Sequence, residues 1–206
     1  MSKKFLLENK IILLLGAFST LNFFVIRSLL IYNTKIVLVD KSIKNLSYLY
    51  DKLNLLYKHS VYLYPVNFLF DSTNDYLCLN DFILKKFGFL DSMIVNSNFI
   101  GDSKPLHYYD LIDFDKVMKI NLYGKFVFLF SFFSLLNLSL NPSVIFNTGC
   151  LKKYLPFFCV YNCSNFAIFG LMKVFLLENI SFSKIRINCF KPDNLKNSSY
   201  ISLFPG

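Results

Sequence analysis

Short apolar runs alternate in this chain with longer segments of helical spacing, and that alternation restricts the folds open to it. The β-rich runs predict six strands, at residues 10–15, 35–40, 61–66, 91–96, 143–148 and 185–190. The segments between them predict helices over residues 21–32, 42–58, 74–87, 110–137 and 157–179. Strands that are apolar throughout and alternate with helices are typical of a parallel sheet covered on both faces. We therefore expect residues 1–206 to form one α/β domain with a doubly wound parallel sheet.

The high hydrophobic content raises the alternative of a membrane protein. Hydrophobic residues make up 54% of the chain, and its mean hydropathy is +0.45. However, the apolar stretch 11–32 carries Asn22 and Arg27 near its middle, which is costly at the centre of a bilayer. The stretch 124–140 is shorter than the roughly 20 apolar residues that a span needs. Since the N-terminus also shows no cleavable signal pattern, we expect buried core elements, a cytoplasmic location and no membrane partner.

The basic charge of the chain does not favour a nucleic-acid partner. The formal net charge is +9 at pH 7, and all the basic residues except Arg27 and Arg186 are lysines. The lysines are scattered, without the stripe or block that marks a nucleic-acid interface. Phe, Ile, Asn and Tyr are enriched along with Lys, which indicates AT-rich codons rather than selection for an acidic partner. We expect a solvated basic surface and no nucleic-acid binding.

The cysteines indicate neither a disulfide framework nor a metal site. Their number, five, is odd, no pair has CxxC spacing, and only His59 and His107 could complete a metal site. The cysteines are residues 78, 150, 159, 163 and 189. We expect buried free thiols in a reducing cytosol and no bound metal.

Taken in order, the ends of the predicted strands resemble the motifs of the short-chain dehydrogenase/reductase family over about residues 8–206. The segment DFDKVMKINLYGKFVF, at 113–128, is the most faithful, and Thr148 precedes Tyr161 by the family's usual thirteen residues. The other matching segments are 13–22, 90–106, 143–149, 161–171 and 185–197. The resemblance, closest to an uncharacterised proteobacterial branch of oxidoreductases, implies a Rossmann-like sheet of about six strands in the order 3-2-1-4-5-6. It also implies hydride transfer between nicotinamide and a small-molecule carbonyl or alcohol.

The resemblance implies a binding site for NAD or NADP at the carboxyl ends of the strands. Asp40 would accept hydrogen bonds from the adenosine ribose and slightly favours NAD, whereas Lys41 could meet a 2′-phosphate and favour NADP. Thr20 and Asn22 stand where the family has its second and third glycines, so residues 13–22 remain open to the simpler interpretation of a strand, a turn and a helix. The cofactor-binding residues that the resemblance implies are Gly16, Ser19, Thr20, Leu21, Asp40, Lys41, Asn67, Asn96, Ser97, Asn165 and Pro192.

The resemblance also implies the catalytic roles. Tyr161 would pass the proton, Thr148 would hold the substrate oxygen, and Asn121 would organise a water relay. Asn165 stands where the family has a lysine that binds the nicotinamide ribose and lowers the pKa of the tyrosine. Because an amide can hydrogen-bond the ribose but supplies no charge, we expect Tyr161 to stay protonated at neutral pH, as a donor rather than a base. Two functions stay open: an impaired oxidoreductase, or a non-catalytic relative that persists as a folded scaffold.

The resemblance further bears on assembly and on the substrate. It implies a homodimer through the helices at 110–137 and 157–179, which in the family pair across a two-fold axis. The aromatic residues that we expect to exceed what the sheet can cover are Phe126, Phe128, Phe130, Phe132, Phe133 and Phe169. Family members usually continue into a further strand and helix beside the substrate, which we expect to be missing from this sequence. The sequence therefore predicts no particular substrate.

Overall fold

Six parallel strands form one sheet in the computed structural model, which describes residues 6–54, 57, 59–67, 73–149 and 156–192. The strands are β1 Ile11–Leu15, β2 Lys35–Asp40, β3 Val61–Pro65, β4 Ser92–Val95, β5 Ser143–Asn147 and β6 Arg186–Phe190. Their order is β3-β2-β1-β4-β5-β6, and every neighbouring pair is parallel. The predicted strands and their order are confirmed. The order reverses at β1 and β4, whose carboxyl ends therefore border the crevice where such sheets bind ligands.

Helices cover both faces of the sheet, as the apolar strands predict. They are α1 Thr20–Leu30, α2 Ile43–Asn54, α3 Thr73–Phe87, α4 Leu111–Met118, α5 Gly124–Asn137 and α6 Cys159–Phe182. Successive side chains of a strand point to opposite faces, so β1 serves two cores. Leu13 packs in the cluster that includes buried residues of α3, α5 and α6, whereas Leu14 packs with those of α1 and α2. The doubly wound architecture is confirmed.

The apolar stretches that raised the membrane alternative are core elements in this fold. Residues 11–32 divide into β1, a turn and α1, and Asn22 is buried inside the domain. By length and composition alone, residues 111–137 and residues 159–179 could each cross a membrane. In the structure, Phe128 and Phe132 of the first segment pack into the sheet core, as do residues of α6. Both helical segments therefore contribute side chains to the core on one side of the sheet.

The single helix predicted over 110–137 contains a wide turn. A π-helical turn, Lys119–Tyr123, separates α4 from α5, and Asn121 lies in its middle. The Asn121 side chain is buried and bonded to another segment, so the local widening serves a polar side chain directed into the domain. Such single π turns are frequent at functional sites.

The cysteines of the described residues are free, as predicted, but they are not buried. Cys78, Cys163 and Cys189 are exposed and Cys159 is half-buried. Cys189 lies on the edge strand β6, one face of which faces away from the core, and Cys163 lies on the outer side of α6. The prediction of buried thiols is therefore wrong for these residues. Cys150 lies outside the described residues.

Candidate active site

The turn after β1 approaches the end of β4 so closely that only glycine fits. Gly16 has φ +78°, and a Cβ built on it would lie 2.9 Å from the backbone carbon and oxygen of Asn96 and from Cα of Ser97. A left-handed backbone and a contact of this kind each exclude an ordinary side chain. Glycine at position 16 therefore lets the turn after β1 pass directly against the end of β4, at the switch point of the sheet.

Helix α1 starts directly after this turn, so its N-terminus lies at the carboxyl end of β1. Ser19 caps the helix, and its Oγ accepts a hydrogen bond from the backbone N–H of Asn22 at 3.1 Å. Thr20, the first helical residue, is exposed, and Leu21 is half-buried. The first turn carries no acidic residue, so the partial positive charge of the helix N-terminus is available to a phosphate. The N-terminus of α1 therefore suits the binding of a phosphate group.

Asp40 also faces this turn. Its Oδ2 accepts a hydrogen bond from the backbone N–H of Phe18 at 2.9 Å, and its Oδ1 makes a long contact, 3.5 Å, with the N–H of Ser42. The predicted ribose-binding carboxylate thus also supports the turn next to the helix. Lys41 and Asn67 are exposed.

A chain of amide hydrogen bonds, which the sequence reasoning missed, runs beneath the strand ends. Asn22 donates to the carbonyl of Gly16, and its Oδ1 accepts from Nδ2 of Asn96 at 2.6 Å. Asn96 in turn accepts from Nδ2 of Asn147, whose Oδ1 accepts from the N–H of Gly149 at 2.8 Å. Asn22 therefore stands at the position of the family's third glycine, and both its Nδ2 and its Oδ1 are hydrogen-bonded. The signal in the sequence was an asparagine in the first turn of α1, Asn22, and one at the end of each of β4 and β5, Asn96 and Asn147.

The wide turn holds Asn121 against the helix that carries Tyr161. Oδ1 of Asn121 accepts from the N–H of Phe99 at 2.7 Å, and its Nδ2 donates to the Phe99 carbonyl at 2.7 Å. The same Nδ2 donates to Oγ of Ser164 at 3.0 Å, and that hydroxyl donates to the Tyr161 carbonyl at 2.8 Å. The side chain of Asn121 is fully engaged, so a water relay at this position would use its backbone. Ser164 is a further site residue that sequence reasoning missed.

Thr148 and Tyr161 lie near the carboxyl ends of the strands, after β5 and in the first turn of α6. Thr148 follows β5, is buried, and its Oγ1 makes a long contact of 3.5 Å with the carbonyl of Phe190. Tyr161 lies in the first turn of α6 and is buried except for a small fraction of its surface. Contact between Gly149 and Asn165 brings the start of α6 against the end of β5. Ser97 is buried after β4, and Pro192 follows β6 by two residues.

Asn165 is the most informative side chain of the site. It is 1% exposed, and neither its Oδ1 nor its Nδ2 has a hydrogen-bond partner in the part of the chain that the structure describes. A Cβ on Gly149, which has φ +64°, would lie 2.4 Å from this Nδ2, so only glycine allows the approach. A buried amide without a partner is costly and indicates a ligand or water.

A buried lysine lies on the inner side of the same strand ends. Nζ of Lys125 donates to Oδ1 of Asn98 at 2.7 Å and to the carbonyl of Asn147 at 3.2 Å. Burial lowers the pKa of Lys125 to about 7. Sequence reasoning missed it, although a single lysine in the apolar run GKFVFLF is an available signal.

The family model for short chain dehydrogenases matches residues 10–201. The chain belongs to the short-chain dehydrogenase family. No curated protein matches the sequence significantly. The resemblance of the strand-end motifs is thereby confirmed for nearly the whole chain.

Solved structures show that this family member has the family's fold. The short chain dehydrogenase of Salmonella enterica serovar Typhi superposes with a TM-score of 0.92 at 22% identity, covering 100% of this chain and 84% of that one. A Shigella flexneri structure complexed with NADP gives 0.91 at 22% identity, with 98% and 84% covered. An Escherichia coli structure complexed with NADPH gives 0.91 at 23% identity, with 98% and 84% covered. All three organisms are proteobacteria, in agreement with the predicted branch, and at these identities the likeness establishes the fold.

Proposed function

We propose that this short-chain dehydrogenase is an NAD(P)-dependent oxidoreductase that transfers a hydride between nicotinamide and the carbonyl or alcohol of a small molecule, at a rate reduced by a neutral residue at position 165. The observation that carries the proposal is the buried Asn165 amide, which has no partner among the described residues and lies one helical turn after Tyr161. Its atoms suit the hydroxyls of a nicotinamide ribose, which can both donate and accept.

The residues present fit a nicotinamide dinucleotide at both ends of the crevice. At one end, the close approach of Gly16 to β4 and the N-terminus of α1 suit a pyrophosphate. At the other end, the Asn165 amide suits the second ribose. When bound, the cofactor supplies or accepts the hydride. The residues proposed to hold it are Gly16, Ser19, Thr20, Leu21, Asp40, Lys41, Asn67, Asn96, Ser97, Asn165 and Pro192.

The choice between NAD and NADP rests on two neighbouring residues. Asp40 supports NAD, but one of its oxygens already accepts from Phe18, and the exposed Lys41 supports a 2′-phosphate. The structural neighbours crystallised with NADP and NADPH support a nicotinamide cofactor and give no support to the preference for NAD. We propose that the cofactor is NAD or NADP, and parallel titrations with NADH and NADPH decide between them.

The chemistry of this chain's own residues favours reduction over oxidation. We propose that Tyr161 donates its phenolic proton to the substrate oxygen, which the Thr148 hydroxyl holds after leaving its long contact with Phe190. Asn121 and Ser164 fix the helix that carries Tyr161. Because Asn165 carries no charge, proton donation remains available to Tyr161 while proton removal is disfavoured.

Replacing Asn165 with lysine is expected to raise turnover about ten- to a hundred-fold, because a cation beside Tyr161 would favour its ionised form by one or two pKa units. The gain should be largest for alcohol oxidation, in which Tyr161 acts as a base. Absorbance of the reduced nicotinamide is followed with a panel of carbonyls and alcohols. Asn165→Gln is the matched control, since it lengthens the side chain without adding charge and should give no gain.

A second candidate function is a non-catalytic relative that persists as a folded scaffold. Asn22, which replaces the family's third glycine, is buried and hydrogen-bonded through both its Nδ2 and its Oδ1, so the domain accommodates this departure. Absence of turnover in both the wild type and Asn165→Lys, with neither cofactor bound, would favour this scaffold over the enzyme.

We propose in addition that the protein is a cytosolic homodimer through α4, α5 and α6. Of the aromatic residues expected to drive pairing, Phe128 and Phe132 belong to the sheet core and contribute nothing to a surface. Phe126 and Phe130 stack on each other and are exposed, the latter to 75%. The exposed apolar residues of α6 are Phe166, Val174 and Leu177.

Phe130→Glu is expected to convert the dimer to a monomer, because it places a charge in an apolar two-fold contact. Sedimentation at micromolar concentration measures the mass. Leu77→Glu, at an exposed position of α3, is the matched control and should leave the dimer intact. A monomeric mass for the folded wild type would contradict the proposal.

A further inference from the structure

Lys125 is the second residue of the apolar helix α5, and its side chain is completely buried. Lysine is almost never fully buried without a charged partner. None of the ion pairs among the described residues includes Lys125. Its Nζ instead donates to two neutral acceptors, Oδ1 of Asn98 at 2.7 Å and the carbonyl of Asn147 at 3.2 Å. Burying this amino group without a charged partner costs stability, so the presence of Lys125 indicates a functional role.

Both acceptors of Lys125 are directly joined to residues of the proposed site. The Asn147 carbonyl belongs to the peptide group whose N–H is that of Thr148. Asn98 precedes Phe99, whose N–H and carbonyl both bind the Asn121 side chain at 2.7 Å. The amino group therefore joins the end of β5 to the segment after β4.

The partner of Lys125 is itself a departure from the family pattern. Asn98 stands where the resemblance places a glycine, which has no side-chain oxygen to accept from Nζ. Lys125 and Asn98 are therefore hydrogen-bonded to each other, and a glycine at position 98 would remove this bond.

We infer that Lys125 is a positioning residue of this active site: its amino group ties Asn98 to Asn147 and thereby sets the separation between Thr148 and Asn121. The inference rests on the proposed function, since it concerns the same site. Lys125 lies beneath the strand ends and acts through these neighbours rather than on the substrate.

The protonation state of the Lys125 amino group changes how many N–H donors it has for its two acceptors. A neutral amine has two N–H donors, which match the two acceptors, whereas an ammonium ion has a third donor with no acceptor in the described residues. Burial is the one cause of the lowered pKa of about 7, so among the described residues no charged or titratable side chain of α4, α5, α6, β4 or β5 contributes to it. The amides and carbonyls around Nζ do not titrate.

The first test is an NMR titration that does not depend on activity. The Thr148 amide resonance of the wild type should move between pH 5.5 and 9 with a midpoint near 7, because its peptide carbonyl accepts from Nζ. In Lys125→Met, the Thr148 resonance should not show this midpoint. Lys119 is an exposed lysine of the preceding turn, and in Lys119→Met the Thr148 resonance should titrate as it does in the wild type. A Thr148 resonance without a Lys125-dependent midpoint would overturn the inference.

The pH dependence of the unfolding free energy, measured on the wild type and Lys125→Met, provides a control whose direction can be derived. The lysine pKa is about 7 in the folded protein and 10.5 ordinarily, so between these values the unfolded chain binds more protons. Unfolding free energy of the wild type should therefore rise relative to that of Lys125→Met from about pH 7 to 10. Below pH 7 the two curves should run parallel. Curves that stay parallel throughout would mean that Lys125 is not buried as the structure has it.

The second test is kinetic and separates this inference from the proposed function. In Lys125→Met, kcat should fall about ten- to a hundred-fold, as expected for a displaced catalytic geometry, while NADPH affinity changes less than about two-fold. Asn98→Gly should have a similar effect, and the double variant should be no worse than either single one. Unchanged kcat in folded Lys125→Met would overturn the inference alone. Absence of turnover and cofactor binding in the wild type would overturn the proposed function as well.

Discussion

Replacing Tyr161 with phenylalanine is expected to lower kcat for carbonyl reduction by about 10²–10⁴-fold, the usual contribution of a positioned general acid. The phenol is proposed to be the proton donor, and phenylalanine keeps its ring while removing the proton. NADPH affinity should be unchanged, because the proposed cofactor contacts are made by other side chains. The measurement compares kcat with the dissociation constant of NADPH for each variant.

Two comparisons sharpen this experiment. Tyr48→Phe removes a hydroxyl from an exposed position of α2 and should leave kcat unchanged. The same Tyr161→Phe change made together with Asn165→Lys should abolish the gain due to the lysine, since the cation acts through the phenol. A Tyr161→Phe protein with wild-type turnover would remove Tyr161 from the mechanism.

The second large effect is expected at the turn after β1. Gly16→Ala should weaken NADPH binding about a hundred-fold, equivalent to roughly 3 kcal/mol. The added Cβ would lie 2.9 Å from the backbone of Asn96, so the turn and β4 must separate where the pyrophosphate is proposed to bind. Titration calorimetry measures the affinity, and circular dichroism establishes that the variant is folded.

Gly88 provides the matched control for this substitution. Its φ of +82° is close to that of Gly16, but a Cβ there meets nothing within 4 Å. Gly88→Ala should therefore cost only the left-handed strain, about 1–2 kcal/mol of stability, and leave NADPH affinity unchanged. Equal affinities for NADPH in Gly16→Ala and Gly88→Ala would show that the turn does not contact the cofactor.

The sheet could be predicted from sequence because its central strands β1, β2 and β4 are buried on both faces and so consist of short apolar runs. β1, for example, reads IILLL and supplies Leu13 to one core and Leu14 to the other. Its neighbours in the sheet follow from the order of the motifs and from the right-handed crossover rule. The strand ends follow in turn, because parallel strands bring their carboxyl ends to one edge.

The polar interior of the site could not be predicted in this way. The π turn at Asn121 depends on Phe99, and the burial of Lys125 depends on Asn98, each pair being separated by more than twenty residues. Periodicity reports which face of an element is apolar, and it carries no information about such long-range polar partners. The prediction that the cysteines are buried failed for a similar reason, because the exposure of Cys189 depends on the position of β6 at the edge of the sheet.

The departures from the family pattern also look different once the contacts are known. In the sequence, Asn22 and Asn98 stand where the family pattern has glycines, and Asn22 together with Thr20 weakens the expectation of cofactor binding. In the structure, Asn22 bonds Gly16 and Asn96, and Asn98 bonds Lys125. Both side chains are hydrogen-bonded, whereas the buried Asn165 amide has no partner among the described residues. Of Asn22, Asn98 and Asn165, the residue in place of the family's lysine is therefore the one expected to reduce activity.

The most direct measurement is a calorimetric titration of the folded wild-type protein with NADPH and, separately, with NADH. The account predicts saturable binding of one cofactor per chain with a dissociation constant in the range of about 1 μM to 1 mM, typical of enzyme–substrate affinities. It also predicts that this binding weakens in Gly16→Ala and persists in Gly88→Ala. Absence of binding of either cofactor to the folded wild type would contradict the account and leave the non-catalytic scaffold in its place.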